Sequence, residues 1–148
     1  MGYCVSMEIE NLNIPLEKVK DALKAINALF EPKLMKGQAS GGSYSGGKQT
    51  DWNYSWVDKP ADGGFKNLEE AFDAWRYSAS NQDGSCEIEC FTGEKLGDDP
   101  ILWAAVAPFV NPKAVITCRG EDGAQWRWIF KGGKFKEVEG RVTWEDEG

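Results

Sequence analysis

The sequence contains no histidine. Imidazole is the commonest general base near neutral pH and the commonest metal ligand. Its absence excludes Ser-His-Asp and Cys-His sites and most zinc and non-haem iron sites, so any catalysis falls to carboxylates, Lys, Tyr, Ser or Cys. Long apolar runs are also missing: no stretch approaches the ~20 residues of a membrane span. The first ten residues, MGYCVSMEIE, hold no basic region, no long apolar stretch and no small-residue cleavage site. The expectation is a cytoplasmic chain without membrane association. Bases are in the minority, with 17 Lys and Arg against 24 Asp and Glu, a net charge of −7. Such a balance repels phosphate backbones, and no basic stripe interleaved with aromatics offsets it. Direct nucleic-acid binding is therefore not expected.

Cysteine is sparse and poorly spaced for chemistry. Cys4, Cys86, Cys90 and Cys118 should be reduced in a cytoplasmic chain. Four residues of strand would separate Cys86 from Cys90 by about 13 Å, too far for a disulfide or a shared metal. All four read as small buried hydrophobes, and no metal or cofactor is expected. In that compartment the Asn53-Tyr54-Ser55 sequon has no consequence.

What is present is the composition of a globular protein: 148 residues, 41% hydrophobic and 28% charged. A chain of this length buries ~70% of its extended surface on folding, and a single domain over 1–148 is expected. Residues 3–9 alternate, with Tyr3, Val5, Met7 and Ile9 on one side, as a half-buried strand does. Pro15 is expected to open a helix with Leu16, Val19, Leu23, Ile26 and Phe30 as its apolar stripe. Residues 36–51 carry five glycines and three serines without periodicity and read as a long flexible loop. Gly42 to Lys48 spells the start of a phosphate-binding loop, but Gln49 stands where Ser or Thr would bind magnesium, and no helix pattern follows.

Trp52, Tyr54 and Trp56 alternate as a short strand. Asn67 and Glu70 form a capping box for a second helix. Cys86, Ile88 and Cys90 face one way along a strand and Glu87 and Glu89 the other. Asp98 and Asp99 precede Pro100 at the start of a third helix. Two glycine turns, near 123 and at 132–133, divide the remainder into a meander over 114–119, 125–131 and 135–144. The order predicts an α+β fold: one mostly antiparallel sheet with helices on one face, a ferredoxin-like split βαβ core and a C-terminal β-meander.

Charge is unevenly spread. Residues 81–99 carry −5, residues 137–148 carry −4 in a short acidic tail, and residues 100–136 carry +4. Arg119 and Arg127 fall on the polar faces of their strands, where they would meet Glu87 and Glu89 as cross-strand ion pairs if those strands were neighbours. No nucleophile, base and orienting group assemble into an active site, so a non-enzymatic protein is expected. In general style, short, acidic and rich in tryptophan, the chain resembles the accessory proteins of mobile elements, a likeness no motif carries. The first expectation is an inhibitor- or adaptor-like binding protein that offers Glu87, Glu89, Asp98 and Asp99 to a basic protein partner. The alternative is a small-ligand binder whose glycine-rich segment holds an anionic metabolite or nucleotide, with Tyr44, Lys48 and Trp52 as contacts and Lys36 as a further cation.

Overall fold

The computed structural model describes residues 3–82 and 84–140. In chain order the elements are β1 (Val5–Glu10), β2 (Asn13–Pro15), α1 (Val19–Ala28), α2 (Pro32–Gln38), β3 (Tyr44–Ser45), β4 (Lys48–Gln49), α3 (Leu68–Ala74), β5 (Tyr77–Gln82), β6 (Ser85–Phe91), α4 (Asp99–Val106), β7 (Val115–Gly120), β8 (Gln125–Lys131) and β9 (Lys134–Glu139), with short 3-10 turns at Leu16–Lys18 and Ala107–Phe109. All the strand pairings are antiparallel. The chain is an α+β protein ending in a β-meander.

The expected single sheet is divided into two, ordered β1-β7-β8-β9 and β2-β6-β5, with β3-β4 as a separate hairpin. The division has a local cause. Asn11 adopts a left-handed conformation, φ 54°, which Asn tolerates better than most residues. Before it Val5 is buried and Ser6, Glu8 and Glu10 are exposed; after it the even residues Leu12 and Ile14 are buried. One edge of the broken strand serves β7 and the other serves β6.

The first helix starts later than Pro15 suggests. Asn13–Pro15 pairs with β6, and the Leu16 N–H donates to the Gly84 carbonyl at 3.0 Å. Leu16 is consequently 65% exposed, and Ala22 and Ile26 form the buried centre of α1. The capping box of α3 forms: the Glu70 N–H donates to Asn67 Oδ1 at 2.8 Å, and the Lys66 N–H donates to Glu70 Oε2 at 3.0 Å. β5 has no apolar alternation in its sequence, YSASNQ, and only Tyr77 in it is buried. Its pairing with β6 skips Glu89, because Ser78 opposes Cys90 and Ala79 opposes Ile88. This bulge ends the alternation, so Cys86 and Ile88 are buried but Cys90 is exposed. Of the four thiols expected inside, Cys4 and Cys90 are exposed.

Buried residues from both sheets and all four helices join one hydrophobic cluster, whose largest members are Trp75, Trp103, Trp128, Tyr77 and Phe72. Trp128 and Phe130 are buried as the strand alternation requires. β9 ends at Glu139; the rest of the expected final strand and most of the acidic tail, 141–148, lie outside the described residues. No helix among the described residues is long and apolar enough to cross a membrane.

Candidate functional site

The glycine-rich segment is not a featureless loop. Its first three residues complete α2, and Tyr44–Ser45 and Lys48–Gln49 pair across a Gly46-Gly47 turn with φ 59° and 81°. Both central residues need positive φ in such a turn, which is why two glycines occupy it. At Gly42 a Cβ would lie 2.0 Å from the Asp51 carbonyl oxygen, so no larger residue fits. Reciprocal hydrogen bonds between Gly41 and Asn53, each 2.9 Å, tie the base of the hairpin. The following stretch, 52–57, is not the expected strand: Tyr54 is buried, Trp52 is half-buried, and Trp56 is 60% exposed with φ 67°.

Tyr54 anchors this segment to the core. Its hydroxyl donates to the Leu29 carbonyl and accepts from Gln38 Nε2 at 2.8 Å. Its ring meets Phe30 edge-on at 5.5 Å, and Phe30 also packs against Phe65 and Trp75. Above that aromatic floor opens a cavity of about 270 Å³. Phe30, Pro32, Met35, Trp52 and Pro60 supply its apolar walls, and Asp51 and Lys59 its charges. Lys59 Nζ lies 3.4 Å from Asp51 Oδ1, and Asn53 Nδ2 donates to Asp51 Oδ2 at 3.1 Å. The Asn53 hydrogen bond, with the nearby Lys59 charge, holds the Asp51 carboxyl below the usual carboxylate range, so it is ionised at neutral pH. Lys36, on α2, lays its ammonium over the Trp52 ring at 5.3 Å. The cavity thus has a tryptophan face, two ammonium groups beside it and one carboxylate.

Of the residues expected to grip a ligand, the structure brings Trp52 and Lys36 together here. Tyr44 and Lys48 lie on the exposed hairpin and do not line the cavity. Asp51 and Lys59 escaped sequence reasoning because their pairing depends on the hairpin that returns the chain to α2.

The acidic candidates separate. Asp98 and Asp99 are turned inward and held by hydrogen bonds within the fold, unlike the exposed corner expected of them. Asp98 Oδ2 accepts from Ser40 N at 3.1 Å, Ser40 Oγ at 2.9 Å and Ser55 N at 2.9 Å, fastening both ends of the hairpin segment to the start of α4. Asp99 accepts from Arg76 Nη2 at 2.9 Å, Gly97 N at 2.8 Å and Tyr77 Oη at 2.8 Å. Arg76 sits just past the end of α3 with φ 73°, a position where glycine is usual. Its guanidinium is needed on Asp99 and on the Lys95 carbonyl, 2.6 Å away, and it lies over the Phe91 ring. Burial first, and then the Asp99 charge, push the Tyr77 hydroxyl well above its ordinary pKa. It therefore remains a donor to Asp99.

Glu87 is half-buried and Glu89 exposed on β6. Glu87 accepts from Ser85 Oγ at 3.0 Å, and Glu89 accepts from Ser80 Oγ. The expected ion pairs with Arg119 and Arg127 do not form, because β6 and the β7-β8 ladder belong to different sheets. Arg119 instead approaches Glu8 at 3.8 Å, and Arg127 Nε donates to Thr117 Oγ1 at 3.2 Å. Among the described residues no group of three or more Cys, Asp or Glu is arranged to hold a metal ion. Compared with protein-family models, with curated proteins and with solved structures, the chain has no match.

Proposed function

We propose that the chain is a non-enzymatic, cytoplasmic binding protein that holds a small organic anion with a flat apolar body in the cavity beside Trp52. The observation that carries this reading is one cavity with an aromatic lining, Lys59 in its wall and the Lys36 ammonium against the same Trp52 ring. Trp52 and Phe30 offer stacking and apolar contact, while Lys36 and Lys59 outnumber Asp51 beside them. Ligand sites of drug-sized molecules occupy roughly 300–1,000 Å³; about 270 Å³ suits a single aromatic acid or nucleobase better than a dinucleotide. A ligand carboxylate or phosphate would meet Lys36 and Lys59, and its ring would stack on Trp52 in place of the Lys36 ammonium.

Thermal-shift and calorimetric titration with aromatic carboxylates and nucleoside monophosphates at millimolar concentration tests this. Stabilisation by at least one member is expected, lost in Trp52→Ala and weakened in Lys59→Ala. Silence across both classes, or stabilisation that survives Trp52→Ala, contradicts the reading.

A second reading has a specific observation in its favour: Glu87 and Glu89 remain outside, where a basic protein surface can reach them. The cytoplasmic location draws on the core thiols Cys86 and Cys118. A ferredoxin-like core is supported by strand adjacency, since β5-β6-β2 and β1-β7 together follow the order of a split βαβ unit.

A further inference from the structure

The sheets have one covered face and one open face. In a sheet, directly paired residues point to the same side. Ile9, Ile116 and Trp128 are aligned across three strands and turn inward. The rows between them face outward: Glu8, Thr117, Arg127 and Val138 in one, and Glu10, Val115, Ile129 and Lys136 in the next. Lys131 and Lys134, paired with each other, continue the same side. On the neighbouring sheet Glu87 lies between buried Cys86 and Ile88, opposite Ser80, whose hydroxyl also binds Glu89. Both glutamates are therefore outward as well, and β6 lies against β1.

The open face is consequently divided by charge. Glu87, Glu89, Glu8 and Glu10 occupy the β6-β1 half. Arg127, Lys131, Lys134 and Lys136 occupy the β8-β9 half. Between them β7 contributes Val115, a Thr117 that is nearly covered and an exposed Arg119 that approaches Glu8, flanked by Ile129 and a Val138 that is 40% exposed. An acidic cluster alone would say nothing about its partner. A face with one acidic and one basic half has a complement in its own copy.

We infer that the open sheet face is a self-association surface, on which two copies pack face to face about a two-fold axis lying in the interface along β7. That rotation sets the β6-β1 carboxylates of each copy against the β8-β9 cations of the other and β7 against β7. It is the self-complementary arrangement a two-fold interface requires. The inference deepens the second reading above and rests on it, in that the basic surface opposite Glu87 and Glu89 is supplied by this same chain. Five strands span about 24 Å, and six residues of strand about 20 Å. That is a small face beside the ~800 Å² per partner of a stable complex, so the dimer is weak and held largely by charge.

Sedimentation equilibrium over micromolar to millimolar concentration tests the inference. The wild-type chain should dimerise at low salt, with association falling at least tenfold between low and high salt. Glu8→Lys/Glu87→Lys gives the face a net positive charge, and Arg127→Glu/Lys136→Glu gives it a net negative one. Each variant should sediment as a monomer, and an equimolar mixture should form dimers tighter than the wild type. Misfolding cannot mimic this, because only folded faces can restore association on mixing. The inference is overturned by a monomeric wild type, by dimerisation insensitive to salt, or by either variant dimerising alone. A monomeric wild type whose acidic face still binds a polylysine peptide, and loses it in Glu87→Lys/Glu89→Lys, would overturn self-association yet leave the basic-partner reading standing.

Discussion

Two acidic pairs, Glu87 with Glu89 and Asp98 with Asp99, lie ten residues apart in the chain and have opposite fates. Glu87 and Glu89 project from the open side of β6, and their hydrogen bonds go to nearby serine hydroxyls. Asp98 and Asp99 are turned inward at the start of α4, and five residues from three other parts of the chain converge on them. Equal charge at equal sequence density is therefore no guide to exposure. What separates the pairs is the supply of donors. Backbone N–H groups of the hairpin and the Gly97 turn, with Arg76 and Tyr77, compensate the desolvation of Asp98 and Asp99. No equivalent set surrounds Glu87 and Glu89, which keep their contact with water.

The comparison breaks most sharply at Asp99. Asp99→Ala leaves the Arg76 guanidinium without its partner and the Tyr77 hydroxyl without its acceptor. Loss of one partner of a buried ion pair typically costs about 3–5 kcal/mol, and the low end applies here because Arg76 retains some contact with water. Urea denaturation measures it; a loss under about 1 kcal/mol, the range of exposed pairs, contradicts the assignment.

Alkaline pH should expose the same region next. Burial, aided by Glu69 and Glu87, pushes the Cys86 thiol up to about 11. Burial, aided by Glu137 and Asp99, pushes Cys118 up to about 12, and Tyr77 is raised as well. In the unfolded chain the thiols ionise near 9 and the phenol near 10. Keeping these acids neutral therefore contributes stability that is complete below about pH 9 and is lost as pH rises through the folded-state values. Melting temperature should be level from pH 7 to 9 and fall steadily above it, less steeply in Cys118→Ala. Stability that rises above pH 9 contradicts this.

The smallest effects belong to surface groups. Ellman's reagent should titrate Cys4 and Cys90 in the native protein and reach Cys86 and Cys118 only on unfolding, in keeping with their exposure. A Cys90 that reacts no faster than Cys86 and Cys118 would contradict the bulge at Glu89 that turns it outward.

Much of the architecture was legible because it rests on local signals. The capping box at Asn67 and Glu70, the glycine turns at 123 and 132–133 and the alternation of Trp126, Trp128 and Phe130 each act over a few residues. Two of the misreadings share one physical origin, a single residue that resets the phase of the chain. Asn11 divides one expected sheet into two, and the extra residue Glu89 turns Cys90 outward. Neither a left-handed asparagine nor a bulge leaves a mark in hydrophobic periodicity. β5 was invisible for a different reason, since its polar residues are held by pairing with β6 and not by their own burial. At the cavity, Trp52 and Lys36 were legible as an aromatic and a cation beside a glycine-rich segment. Asp51 and Lys59 were not, because their meeting depends on tertiary closure of the hairpin.

The separation of the two acidic pairs is tested most directly by removing the same charge from each. Urea denaturation of Asp98→Asn/Asp99→Asn and of Glu87→Gln/Glu89→Gln compares double variants that each lose two negative charges and little volume. The aspartate variant should lose about 3 kcal/mol or more, as expected when a buried charge network is broken. The glutamate variant should stay within about 0.5 kcal/mol of the parent, as surface substitutions do. Equal losses in the two variants would contradict the account.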